Sequence, residues 1–156
     1  MRAFNVFDAA VEYDPSDPEP YASGYHRFGP SIDARRLGAT LYELPPGQSL
    51  CPYHYESEEE WVLVLQGEVT LRHPDGESIL RPGDVTAFPV GSAGAHKTTN
   101  NGSETVRMVM FATVDPMGYC VYPDSDKIAV WTNSGDPAND VRVRRGEKLE
   151  YYDGEL

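Results

Sequence analysis

Long apolar runs are absent from this chain. No stretch approaches the roughly 18 apolar residues that a membrane-spanning helix needs, so no membrane partner is expected. Cysteine is scarce: Cys51 and Cys120 are the only two. One optional pair is no disulfide framework, and both thiols read as small apolar residues in a reducing cytoplasm. Basic residues are few, 13 Lys and Arg against 25 Asp and Glu, for a formal net charge of −12. Such a surface repels phosphate backbones. Only Arg142, Arg144 and Arg145 cluster, which argues against a nucleic-acid partner. The N-terminal MRAFNVFDAAVEYD turns acidic before a signal-peptide apolar region can form, so export is not expected. A helical period of 3.6 residues is also missing over any dozen residues. What 156 residues, 40% of them apolar, do allow is one domain with a real core.

Short strands and turns fill that domain. Residues 1–38 hold EYDPSDPEPYASGYHRFGPS, rich in Pro, Gly, Asp and Ser, which predicts an irregular arm rather than a helix. Tyr13, Tyr21, Tyr25 and Phe28 are too many aromatics for a free linker, so the arm is expected to lie on the domain or on a second subunit. His26 and Arg27 read as surface residues. From Ala39 the pattern is ATLYEL (39–44), WVLVLQ (61–66), EVTLRH (68–73), GESILR (76–81), DVTAFP (84–89), AHKTTN (95–100) and TVRMVMFAT (105–113). YCVY (119–122) and KIAVWT (127–132) follow, and the tail has one further alternating segment. His73-Pro74-Asp75-Gly76 and Arg81-Pro82-Gly83-Asp84 supply turn chemistry. The expectation is an all-β sandwich or barrel over residues 39–135, with a C-terminal extension over 136–156.

Chemistry concentrates in PPGQSLCPYHYESEEEWVLVLQG, residues 45–67. In a strand, positions i and i+2 face the same way, so His54 and Glu56 can point inward together while Tyr53 and Tyr55 face out. Glu60 shares a face with Val62 and Val64. A carboxylate among valines is costly without a compensating charge, and a divalent cation supplies one. Glu58 and Glu59 read as solvated. On this stretch alone, His54 is either a hydrogen-bonded core histidine or a metal ligand.

A second block, Gly83-Asp84-Val85-Thr86-Ala87-Phe88-Pro89-Val90-Gly91 followed by Gly94-Ala95-His96-Lys97-Thr98-Thr99-Asn100, pairs with the first. Together they resemble the cupin superfamily, and in particular its small single-domain bacterial members. Its first motif is matched by Glu60 and Gly67, with His54-x-Glu56 at the His-x-His position. Its second is matched by Gly83, Pro89, Gly91, His96 and Asn100, although the spacer before His96 is two residues longer than the strict pattern. The resemblance covers about residues 39–113. It implies a double-stranded β-helix, or jelly-roll barrel, with a divalent metal near its open end.

Carried over residue by residue, the resemblance makes His54, Glu60 and His96 ligands and puts Glu56 where the family usually has a second His. Two imidazoles and two carboxylates leave a divalent ion formally neutral, which favours Fe²⁺ or Mn²⁺, while Zn²⁺ or Ni²⁺ also fit. Glu56 is then a fourth ligand, or a catalytic base beside a three-residue site, or the site holds no metal at all. The implied functions are a metal-dependent dioxygenase, isomerase or lyase acting on a small carboxylate, keto or enediol molecule, or a non-catalytic module that binds a metal or small ligand. Pairing of barrels, common in the family, leads to an expected homodimer.

Overall fold

The computed structural model describes residues 1–132, 140–146 and 149–155. The expected boundary between barrel and C-terminal extension, at 135/136, lies outside them. No α-helix occurs among the described residues, and no helix there is long and apolar enough to cross a membrane.

Among the described residues, thirteen strands run in chain order: β1 Glu12–Tyr13, β2 Gly24–Arg27, β3 Leu37–Leu44, β4 Tyr55–Glu56, β5 Glu60–Gln66, β6 Val69–His73 and β7 Gly76–Leu80. They continue with β8 Val85–Phe88, β9 Lys97–Thr99, β10 Val106–Thr113, β11 Met117–Tyr122, β12 Lys127–Thr132 and β13 Val141–Arg144. One layer is a six-stranded sheet ordered β1-β2-β3-β10-β5-β8. A four-stranded sheet, β13-β12-β11-β4, and a three-stranded sheet, β7-β6-β9, lie outside it. These two are joined by isolated antiparallel bridges, Ser49 to Thr99 and His54 to His96. The seam between them therefore runs through both histidines. This is the all-β jelly roll expected of the sequence.

The layers bury Leu44, Val62, Val64, Val69, Leu71, Val106 and Met108 between them. β10 is apolar on both faces, and its other face needs a cover. Leu41 and Val109 on that face are packed under Phe4, Val6, Ala9 and Val11 of the arm. The arm is held there by charge as well. Arg107 stands opposite Glu43 across β3 and β10, 3.1 Å from its carboxylate, and donates to the carbonyls of Val6 and Ala9 at 3.1 and 2.8 Å.

The arm differs from expectation. It is not wholly irregular, because β1 and β2 extend the six-stranded sheet beyond β3. Register with β3 holds them, a long-range cause that local composition cannot show. β4 and β5 do not pair with each other: β4 pairs with β11, and β5 with β10 and β8. Glu60 thus approaches the histidines from the facing layer.

Candidate metal centre

His54 and His96 are brought together by backbone geometry. Each donates its N–H to the other's carbonyl, at 3.1 Å from His54 and 2.8 Å from His96. Their rings stand 4.6 Å apart, centroid to centroid. Both imidazoles are then oriented by a carbonyl two residues upstream. His54 Nδ1 lies 2.9 Å from the Pro52 carbonyl and His96 Nδ1 lies 2.9 Å from that of Gly94. A carbonyl only accepts, so each Nδ1 carries a proton and each Nε2 is the nitrogen left facing the interior, free on neutral His96 and available on His54 once a metal displaces its second proton. Phe88 stacks on His96 at 3.6 Å and fixes the ring plane.

The longer spacer before His96 has a structural use. Ser92–Gly94 forms a single 3₁₀ turn, and the carbonyl of its last residue is the one that orients His96. Gly94 is needed there: a Cβ would stand 1.9 Å from the Pro89 carbonyl oxygen.

Glu60 completes a cluster from the opposite sheet. Its Oε2 lies 3.5 Å from His96 Nε2 and 3.9 Å from His54 Nε2. Ligand atoms about 2.0–2.2 Å from one ion stand about 3–3.5 Å from each other, so small side-chain movements close this set. Glu60 Oε2 and His96 Nε2 are both buried without a hydrogen-bond partner. Burial, reinforced by the Glu56 charge, pushes the Glu60 carboxyl up to about 8. Burial likewise lowers His96, helped by charge on His54, to about 3, so it stays a neutral donor. Burial also opposes charge on His54, but Cys51 and Glu56 outweigh it and push that ring up to about 12. A divalent cation would reverse the balance at Glu60, turning a disfavoured carboxylate into a favoured one. The donor set fits a metal.

Glu56 stands apart from this triad. Its Oε1 is 3.4 Å from His54 Nε2, yet its donor atoms cluster with His54 and Cys120, not with Glu60 and His96. The sequence reading treated Cys120 as a packing residue and missed this neighbour. The pairing of Cys120 opposite Glu56 on β11 and β4 is what places it there. Glu58 accepts from the Asp115 N–H and Glu59 from Trp61 Nε1, so neither joins the cluster. Asn100 is fully buried and structural, donating to the carbonyls of Leu44 and Glu104. A cavity of about 230 Å³ opens beside the histidines, lined by His54, Glu56, Glu60, Tyr42, Cys51 and Met110 among others, with no Lys or Arg among its described lining residues.

Residues 40–112 match the family model of the cupin domain, Cupin_2. The fold superposes on a candidate sugar phosphate isomerase from Acidithiobacillus ferrooxidans with a TM-score of 0.81 and 24% identity, over 96% of this chain and 94% of that one. A sugar phosphate isomerase of the cupin superfamily from Silicibacter pomeroyi gives 0.78 and 22%, over 96% and 98%. A polyketide cyclase from Streptomyces resistomycificus gives 0.60 and 24%, over 74% and 80%. At these identities the likeness establishes the fold. In sequence, 83 residues are 32% identical to a bifunctional lysine-specific demethylase and histidyl-hydroxylase of Branchiostoma floridae. The match takes in 49% of this chain and spans 14% of that protein's length.

Proposed function

We propose that this chain, whose barrel is a cupin domain over residues 40–112, binds a divalent metal through His54, Glu60 and His96 and acts on a small molecule held beside it. One observation carries the reading: Glu60 Oε2 and His96 Nε2 are buried, adjacent and unpartnered. Nitrogen and carboxylate donors favour Fe²⁺ or Mn²⁺, with Zn²⁺ or Ni²⁺ next. Such an ion supplies Lewis acidity toward a substrate oxygen.

The chain's own groups do the rest. Glu56 stands on the cavity wall, where its carboxylate can take a proton from a bound molecule and return it. Tyr42 and Met110 form part of the wall around that exchange. The cavity has two carboxylates and no Lys or Arg among its described lining residues, which favours a keto or enediol compound over a carboxylate or a phosphate. The isomerase names of two structural relatives that align over nearly the whole of both chains agree with keto–enediol proton movement, without the phosphate.

The protein acts in the cytoplasm, in keeping with its two free thiols, and as a homodimer without nucleic-acid or membrane partners. The dimer face is a groove of about 260 Å³ on the outer side of the six-stranded sheet, lined by Leu37, Glu59, Trp61, Phe111, Ala112 and Thr113.

Calorimetric titration of chelator-stripped protein with Mn²⁺ tests the reading. One equivalent is expected to bind, with affinity falling by about 100-fold or more in Glu60→Ala. Turnover of hydroxy-ketones and keto acids, followed by NMR and oxygen uptake, should be lost in Glu56→Gln. Failure of Mn²⁺ and Fe²⁺ to bind would sink the proposal. Tight binding with no turnover would select the alternative, a module that holds a metal or small ligand without chemistry.

A further inference from the structure

Cys120 is the strongest donor near the site that the proposed function leaves unused. Glu56 and Cys120 are direct partners across β4 and β11, and His54 precedes Glu56 by two positions. Strand alternation therefore puts all three side chains on one inward face. Cys120 is 2% exposed and His54 5%. Their donor atoms and a Glu56 carboxylate oxygen lie within 4.8 Å of one another, the same limit that holds for His54, Glu60 and His96.

The two triads have His54 in common. Its Nδ1 is committed to the Pro52 carbonyl, leaving Nε2 as the one nitrogen it can offer a metal. One lone pair serves one ion. The triads are therefore alternatives and cannot act together as a two-metal centre. They also differ in softness: one offers two nitrogens and an oxygen, the other nitrogen, oxygen and sulfur.

We propose that the barrel has two mutually exclusive metal positions that share His54, a hard one at His54, Glu60 and His96 and a thiophilic one at His54, Glu56 and Cys120. Oxygen-loving ions such as Mn²⁺ take the first, and sulfur-loving ions such as Zn²⁺ or Cd²⁺ take the second. Binding at the second position releases the Cys120 proton and the Nε2 proton of His54 to solvent, and the two anionic ligands balance the ion's charge without any redox change. The identity of the ion then decides what Glu56 does. A hard ion leaves it free on the cavity wall, while a thiophilic ion ties it down. The proposal rests on the barrel being a metal site, but Glu56 and Cys120 are ligands that the hard position does not use.

The test is a Cd²⁺ titration of reduced, chelator-stripped full-length protein, read by the ultraviolet sulfur-to-metal charge-transfer band. The band should saturate at one equivalent in the wild type and in Cys51→Ala, and be absent in Cys120→Ala. Cys51 is the suitable control, since its Sγ lies 3.4 Å from His54 Nδ1 and 4.0 Å from Nε2 and belongs to neither triad. Added Cd²⁺ should also displace bound Mn²⁺ one for one, seen as the return of the free-ion electron paramagnetic resonance signal. If Cys120→Ala does not fold, Glu56→Gln serves, weakening Cd²⁺ by about tenfold or more while Mn²⁺ affinity changes little. No band in the wild type, a band that survives in Cys120→Ala, or Mn²⁺ and Cd²⁺ bound together would each overturn the proposal. Stoichiometric Mn²⁺ binding with no Cd²⁺ band overturns this inference and leaves the proposed function standing. A Cys120-dependent band without Mn²⁺ binding leaves only the thiophilic position and overturns both the two-position proposal and the proposed function.

Discussion

Burial and the Glu56 charge keep the Glu60 carboxyl neutral well above the usual carboxylate range. It is raised from an ordinary 4.5 to about 8 by burial first and by the Glu56 charge second. A folded-state pKa above the unfolded one means that stability from this group is full below about 4.5 and is lost as pH rises through about 8. Metal-free wild type should therefore lose melting temperature relative to Glu60→Gln between these limits, on the order of 5 °C. Saturating Mn²⁺ should remove that deficit. Parallel pH profiles from scanning calorimetry would settle it, and a constant difference between the two proteins would refute it. The three residues of this cluster were legible in the sequence because the spacing of two separated blocks specifies them. Cys120 was not, because nothing local says that it pairs with Glu56 sixty-four residues earlier. The carbonyls of Pro52 and Gly94 were illegible for another reason: a backbone acceptor has no residue type to read.

At the scale of elements, the 3₁₀ turn at Ser92–Gly94 and the N-terminal arm make opposite demands on sequence. The turn needs one residue to be small. Gly94→Ala would drive a Cβ into the Pro89 carbonyl, and the expected loss is more than about 2 kcal/mol in denaturant unfolding. Mn²⁺ affinity should fall by about tenfold as well, because the same turn orients His96. The arm needs only to be apolar at intervals. Deleting residues 1–11 would uncover Leu41 and Val109, each contributing about 1.5–3 kcal/mol when buried, and should lower stability by about 3 kcal/mol or more. Increased binding of a hydrophobic dye would accompany it; unchanged denaturation would show that the arm is dispensable. Strands with alternating residues and Gly or Pro turns, β5 to β8 and β12 among them, stand within a residue or two of where the sequence puts them. β1 and β2 were hidden because their partner in register, not their composition, makes them strands. The tight acidic corner between β4 and β5 carries the chain across from one layer to the other, which no residue type there announces.

At the scale of the whole molecule, a net charge of −12 keeps copies apart at long range, so the proposed pairing would have to come from apolar contact at short range. The outer groove offers such a surface, with Trp61 47% exposed and Leu37 54%. Light scattering at micromolar concentration should give twice the mass of one chain. Trp61→Asp should give a monomer with its metal affinity intact. A monomeric wild type would rule the dimer out.

The two tryptophans divide this protein optically. Trp61 looks outward, its indole donating to Glu59, in the groove on the sheet's outer side. Trp131 lies across Gly118, close enough that a Cβ there would stand 2.6 Å from the indole, on the face of β11 that also carries Cys120. A dissolved collisional quencher therefore reaches mainly the first, and a heavy ion bound at Cys120 darkens mainly the second. Emission from the unlabelled chain can thus distinguish an event that covers the barrel from one that takes place inside it.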